Sequence, residues 1–205
     1  MYAACSAGKQ QSPIDIRKAE TVKLPSLRFD YKSAPLKLIN NGHTVQVNFP
    51  AGSWLTIGDA RYELKQLHFH RPSEERIDGR ASDMVVHLVH ANDKGETAVI
   101  AILLRRGAAN PTIQKVWAAV PRTVGQEQEI AGVQLDPSDF LPSTKAYYTY
   151  QGSLTTPPCT EDVTWFVLET QGSVSAEQLK VFGRIFPANA RPVQALNGRV
   201  VNKSN

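Results

Sequence analysis

The 205-residue chain has no apolar run approaching the roughly 20 residues that a helix needs to cross a hydrocarbon layer. Its first residues show no charged segment followed by an apolar stretch of the signal type. The chain is therefore expected to be soluble, without a membrane partner. Cysteine is scarce: with only Cys5 and Cys159, a disulfide-dense scaffold is excluded and at most one bridge can form. Such a bridge implies an oxidising compartment, whereas two free thiols would suit a reducing one. A long basic run, an internal repeat and a low-complexity linker are also missing. The 23 basic and 19 acidic residues leave a net charge of +4 but are interspersed, which reads as a solvated surface and argues against a nucleic-acid partner. With 41% apolar residues at this length, one domain over 1–205 is expected rather than two.

Helical patterning is scarce too. It is confined to Pro111–Val120, with Asn110 as N-cap and proline in the first turn, and to Ala176–Phe186, where Ser175 and Gln178 have capping-box spacing. Short apolar or alternating runs bounded by Gly, Pro, Asn and Asp fill much of the remainder: Leu36–Ile39, Thr44–Phe49, Ser53–Ile57, Tyr62–His70, Met84–Ala91, Thr97–Leu104, Lys145–Tyr150 and Val163–Glu169. A β-rich fold follows. Arg71–Ser82 and Gly125–Leu141 read as long loops, either surface excursions or rims of a site.

Within the Tyr62–His70 run, His68 and His70 stand two apart, so on a strand both imidazoles project from one face, together with Gln66. The next run holds His87 and His90, whose odd spacing puts them on opposite faces; only one can join the first pair, and parity does not say which. His87 is preferred because it sits mid-strand with Val85 and Val89 as face-mates, while His90 adjoins a loop and reads as a structural histidine. Three neutral imidazoles suit Zn2+ and leave a fourth position for water, the pattern of catalytic rather than closed structural sites.

More than spacing is present. Gln11–Ile16 (QSPIDI), Asn40–His43 (NNGH), Gln66–His70 (QLHFH), Pro72–Glu74 (PSE), Val86–His90 (VHLVH), Gly152–Pro158 (GSLTTPP), Val163–Trp165 (VTW) and Asn189–Pro192 (NARP) together resemble the alpha-class carbonic anhydrases, bacterial members especially, over nearly the whole chain. The resemblance implies an α+β, mainly β fold: a central, mostly antiparallel ten-stranded sheet with short peripheral helices. It implies Zn2+ on His68, His70 and His87, and reversible hydration of carbon dioxide to bicarbonate by a zinc-bound hydroxide. Thr155 would orient that hydroxide through Glu74, and His43 would shuttle the proton to buffer across water ordered by Asn41 and Gln46. Gln66 and the backbone of Asn189 would support the first two ligands. Val89, Val99, Leu154, Val163, Trp165 and Thr156 would form the substrate pocket, and sulfonamides or anions would inhibit. The resemblance further implies a Cys5–Cys159 disulfide, cis peptide bonds at Ser12-Pro13 and Pro157-Pro158, a periplasmic or extracellular location after signal removal, and a homodimer.

Two positions depart from the family pattern. Val85 stands where the family usually carries the glutamate that supports the third ligand, and Glu75 stands where a histidine often follows Glu74. The first departure predicts weakened zinc affinity, and a Val85→Glu change that tightens it. The second is expected to leave the metal's own ligands untouched and to give a slower enzyme rather than an inert one. A catalytically weak or silent binding module on the same fold is the competing reading, and Val85 is its only support.

Overall fold

A computed structural model describes residues 2–205. Ten strands lie side by side in one sheet, in the order Glu127–Leu135, Ala34–Asn40, Val45–Asn48, Ala60–His70, Met84–Ala91, Thr97–Arg106, Val163–Leu168, Tyr147–Gly152, Asn202–Ser204 and Glu20–Val22. Three more attach off this path: Gly172–Val174 beside Thr97–Arg106, and Leu27–Asp30 with Trp54–Ile57 beside Ala60–His70. Most pairings are antiparallel. Thr97–Arg106 runs parallel to both Val163–Leu168 and Gly172–Val174, and Asn202–Ser204 runs parallel to Glu20–Val22.

Alternation along the central strands sorts side chains to two faces. One face carries Leu67, Phe69, Val86, Leu88, Ile100 and Ile102 into a large core. Two helices cover it, Pro111–Ala118 and Ala176–Ile185, through Ile113, Val116, Trp117, Leu179 and Phe182. Phe69 is fully buried there, with its ring centroid 4.8 Å from that of Trp117; burial of such a ring contributes about 2–3 kcal/mol. The predicted caps are present. Asn110 accepts from the N–H groups of Thr112 and Ile113, and Ser175 with Gln178 closes a capping box. Gln178 also exchanges two hydrogen bonds with the backbone of Asn110, so the two helix N-termini are tied to each other.

The opposite face holds a second cluster, with Val85, Val99, Ala101, Leu103, Tyr150, Val163, Trp165 and Val167 buried in it. It flanks the histidines. A separate three-stranded sheet joins Asp15–Ile16, Arg76–Ile77 and Arg80–Ala81.

Two sequence expectations change. Residues 125–141 are not a loop: they form the edge strand Glu127–Leu135 and a 3-10 turn, Pro137–Phe140. Its mostly exposed residues and the irregularity between Glu129 and Gln134 erase the apolar alternation that would announce a strand. For Arg71–Ser82 the expectation changes in part: Ser73, Glu74 and Glu75 are buried, while Pro72, Arg76, Asp78, Arg80 and Ala81 are exposed. Cis peptide bonds occur at Ser12-Pro13 and Pro157-Pro158, and also at Arg71-Pro72. Cys5 and Cys159 are disulfide-bonded, with Cα atoms 5.1 Å apart. Among the described residues, no helix is long and apolar enough to cross a membrane.

Candidate metal centre

Strand pairing brings the histidines together. Met84–Ala91 runs antiparallel to Ala60–His70 with His87 opposite His68, while Val45–Asn48 places Gln46 opposite His68 on the other side. Directly opposed residues share a face, so His87 joins His68 and His70. His90 is buried away from them, its Nε2 2.7 Å from the Tyr31 hydroxyl and its Nδ1 3.3 Å from the Ala98 carbonyl. The ring centroids of His68, His70 and His87 lie 4.9 to 5.3 Å apart. One nitrogen from each falls within 4.8 Å of the others, an arrangement able to hold a metal ion.

The hydrogen bonds on the far side of each ring decide which nitrogen faces inward. His68 Nδ1 lies 2.8 Å from Gln66 Oε1, and His70 Nδ1 3.0 Å from the Asn189 carbonyl. Donation at Nδ1 leaves Nε2 as the lone-pair nitrogen of both rings. His87 is reversed: its Nε2 lies 3.1 and 3.3 Å from the two carboxylate oxygens of Glu75, leaving Nδ1 inward. His70 Nε2 and His87 Nδ1 are buried with no protein partner, which is costly unless something else satisfies them. Three borderline nitrogen donors, two of them buried with orphaned lone pairs, fit Zn2+.

Glu75 corrects the sequence reading. The carboxylate that Val85 does not provide reaches His87 from the loop before its strand, and Val85 packs with Val99 and Leu103 in the apolar cluster. Glu75 is fully buried. Spacing gives no sign of this contact, since Glu75 sits in a segment without periodicity, twelve residues from His87.

The electrostatics match the geometry. Burial and the neighbouring histidines hold His68 well below its ordinary range, and burial with His87 takes His70 down to about 3, so both rings are neutral near pH 7. Burial opposes charge on His87 as well, but the Glu75 and Glu74 carboxylates outweigh it and raise its pKa. Glu74 is pushed up to about 7, first by burial, with Glu75 adding to the rise and His87, the Arg191 N–H and Thr155 opposing it. Glu74 Oε1 accepts from the Arg191 N–H at 2.8 Å, while Oε2 is buried without a partner at hydrogen-bond distance.

The other expected residues distribute as follows. A cleft of about 580 Å³ opens over the histidines, lined by Asn41, His43, Gln46, Gln66, His68, His70, Thr156 and Asn189, with Tyr2 at its wall. His43 is exposed; its N–H donates to Asn41 Oδ1 at 3.0 Å and its carbonyl accepts from Asn189 Nδ2 at 2.9 Å. The Gln46 amide donates to Asn48 Oδ1 at 2.7 Å. Val99, Val163 and Trp165 are buried in the apolar cluster, with Val89 and Leu154 packed against it. The Trp165 ring stands 4.9 Å from that of His87, edge-on. Arg191 was missed as a site residue. Besides Glu74, it holds Gln11 Oε1 and the carbonyls of Ser12 and Cys5.

The family model for eukaryotic-type carbonic anhydrase matches residues 1–205. A carbonic anhydrase of Nostoc sp. is 45% identical over 98% of this chain and 78% of its own length. Among solved structures, a hyperthermostable carbonic anhydrase from an active hydrothermal vent chimney superposes with a TM-score of 0.96 at 40% identity, covering 100% of this chain and 91% of that one. The alpha-carbonic anhydrase of Thermovibrio ammonificans, in complex with the inhibitor sulfanilamide, gives 0.94 at 38% identity, covering 100% and 90%. Fold, histidine cluster and full-length similarity agree: this chain belongs to the eukaryotic-type, or alpha, carbonic anhydrase family, and it is a carbonic anhydrase.

Proposed function

We propose that the chain hydrates carbon dioxide reversibly to bicarbonate and a proton, using Zn2+ held by His68 Nε2, His70 Nε2 and His87 Nδ1. The observation that carries this reading is the set of three mutually facing nitrogens, with His68 and His70 lining the cleft, His87 buried beside them and each ring already hydrogen-bonded on its far side. Zinc, when bound, would supply Lewis acidity that lowers a water's pKa to about 7, so that hydroxide is available at neutral pH.

The chain's residues then orient and transfer. Thr155, which lies close enough to Glu74 to oppose the rise in its pKa, would donate its hydroxyl proton to that carboxylate, whose Oε1 is taken by the Arg191 N–H and whose Oε2 has no other partner. The Thr155 oxygen would then be left to accept, a role that orients the hydroxyl of a nucleophile so that its lone pair faces the carbon of the substrate. Trp165, Val99 and Val163 with Val89 and Leu154 supply apolar surface that suits a molecule without a dipole. Regeneration releases one proton per turnover. His43, exposed at the cleft and fixed through its backbone by Asn41 and Asn189, takes that proton on its ring and passes it to buffer, with Asn41 and Gln46 ordering the water between. The Cys5–Cys159 bridge supports a periplasmic or extracellular location.

The test is zinc content measured together with stopped-flow hydration. One zinc per chain is expected, with activity that chelation removes, added zinc restores and sulfanilamide inhibits. A folded chain that takes up no zinc and stays inactive would sink the proposal. His43→Ala is expected to slow turnover about 100-fold in weak buffer, at the lower end of the usual range for a proton-transfer group, with recovery on adding imidazole. An unchanged rate would remove His43 from the mechanism. The Glu75 carboxylate on His87 Nε2 supports the enzyme reading over the silent-module one, whose motive was Val85 alone.

A further inference from the structure

We propose that Glu75 is the positioning residue for His87, so that the chain's metal centre depends on a carboxylate carried by a loop instead of by the ligand's own strand. This rests on reading His68, His70 and His87 as the metal ligands. A carboxylate accepting from Nε2–H fixes the tautomer that leaves Nδ1 free and holds the ring plane. On the strand itself, Val85, the face-mate two residues before His87, is fully buried among apolar side chains and offers no such group.

The loop is built to hold Glu75 still. Its carbonyl accepts from Ser73 Oγ at 2.8 Å, and that same oxygen accepts from the Ser82 N–H at 2.8 Å. The Ser73 N–H bonds the Ser82 carbonyl, closing the loop on itself. On one side of Glu75, the Arg76 N–H donates to the Ile14 carbonyl, and Arg76 pairs with Asp15 in the small three-stranded sheet. On the other side, Glu74 is held by the Arg191 N–H. Arg71 is held by Asn189, whose carbonyl also meets His70. The side chain thus comes from a segment pinned at both ends, and little ordering remains to be done when it meets the imidazole.

A strand-borne carboxylate at position 85 would then be an alternative to Glu75, not an addition to it. Placed beside an intact Glu75, it would put two acids against one Nε2–H in a site without water access. Val85→Glu alone is therefore expected to loosen the metal, the reverse of the sequence-based expectation. The same change in the absence of Glu75 is expected to restore binding.

The experiment measures zinc release to a chelator and the visible spectrum of the cobalt-substituted protein, on the wild-type chain and four variants. Glu75→Gln, which keeps the shape and an acceptor oxygen, is expected to release zinc about 10-fold faster, and Glu75→Ala to approach about 100-fold. Val85→Glu is expected to speed release. The combination Glu75→Ala with Val85→Glu is expected to return both release rate and cobalt spectrum towards wild type, a rescue that a merely structural role for Glu75 would not produce. Thermal melts report whether each variant is folded, and Glu75→Gln carries the test if Glu75→Ala is not. Release from Glu75→Gln within about twofold of wild type, where loss of a carboxylate that holds a ligand histidine ordinarily gives more, overturns the inference while leaving the zinc-enzyme reading intact. A wild-type chain that binds no zinc overturns both.

Discussion

Replacing His87 with alanine is expected to abolish tight zinc binding, and carbon dioxide hydration with it. The cost also extends to the fold. His87 is 1% exposed and Glu75 fully buried, so removing the imidazole leaves a carboxylate in the interior with no donor on either oxygen, and Glu74 beside it. Removing one partner of a buried pair costs about 3–5 kcal/mol, because the remaining group is left uncompensated. This gives a prediction with an uncommon sign. In the metal-free proteins, the double variant His87→Ala/Glu75→Ala should be more stable than His87→Ala alone, although it loses more buried atoms. Urea midpoints on the two proteins decide it, with zinc per chain after dialysis as the companion measurement. Full zinc occupancy in His87→Ala would remove His87 from the ligand set. A double variant less stable than the single would mean that the Glu75 carboxylate finds another partner when the ring is gone.

The second large effect concerns the disulfide. Cys5 and Cys159 are separated by 154 positions, and closing a loop of that size restricts the unfolded chain by about 5 kcal/mol in the chain-entropy model. The native ends do not depend on the bridge alone: the Cys5 carbonyl accepts from Arg191 and the Cys159 carbonyl from Gln11. The double change Cys5→Ser/Cys159→Ser is therefore expected to act mainly through the unfolded state, lowering the thermal midpoint by about 10–20 °C for a protein of this size. Hydration at room temperature should be nearly retained, because Leu154 N–H is still fixed by the Thr160 carbonyl and Ser153 by Ser12 in the loop that bears Thr155. Reduction of the wild-type chain should reproduce the variant. A midpoint shift of less than about 2 °C, below what 1 kcal/mol produces, would show that the unfolded chain gains little freedom when the bridge is lost.

Much of this protein is set by sequence-local rules. Period-two alternation is enough to put His68 and His70 on one face with Gln66, to delimit Met84–Ala91, and to split the central strands into two apolar faces. Caps are equally local, since Asn110 and Ser175 act on backbone groups two or three residues away. The motifs from QSPIDI to NARP carried the family. Parity placed His87 and His90 on opposite faces without saying which joined the pair; the motifs named His87, and the register of Met84–Ala91 against Ala60–His70 gives the physical reason. Two things were decided only in the folded chain. The edge strand Glu127–Leu135 is held by pairing with Ala34–Asn40 and not by an apolar pattern of its own. The direction of Glu75 depends on bonds from Ser73 to Glu75, from Arg76 to Ile14 and from Arg191 to Glu74. A loop side chain has no period to betray its neighbour, and its contacts exist only once distant segments have closed around it.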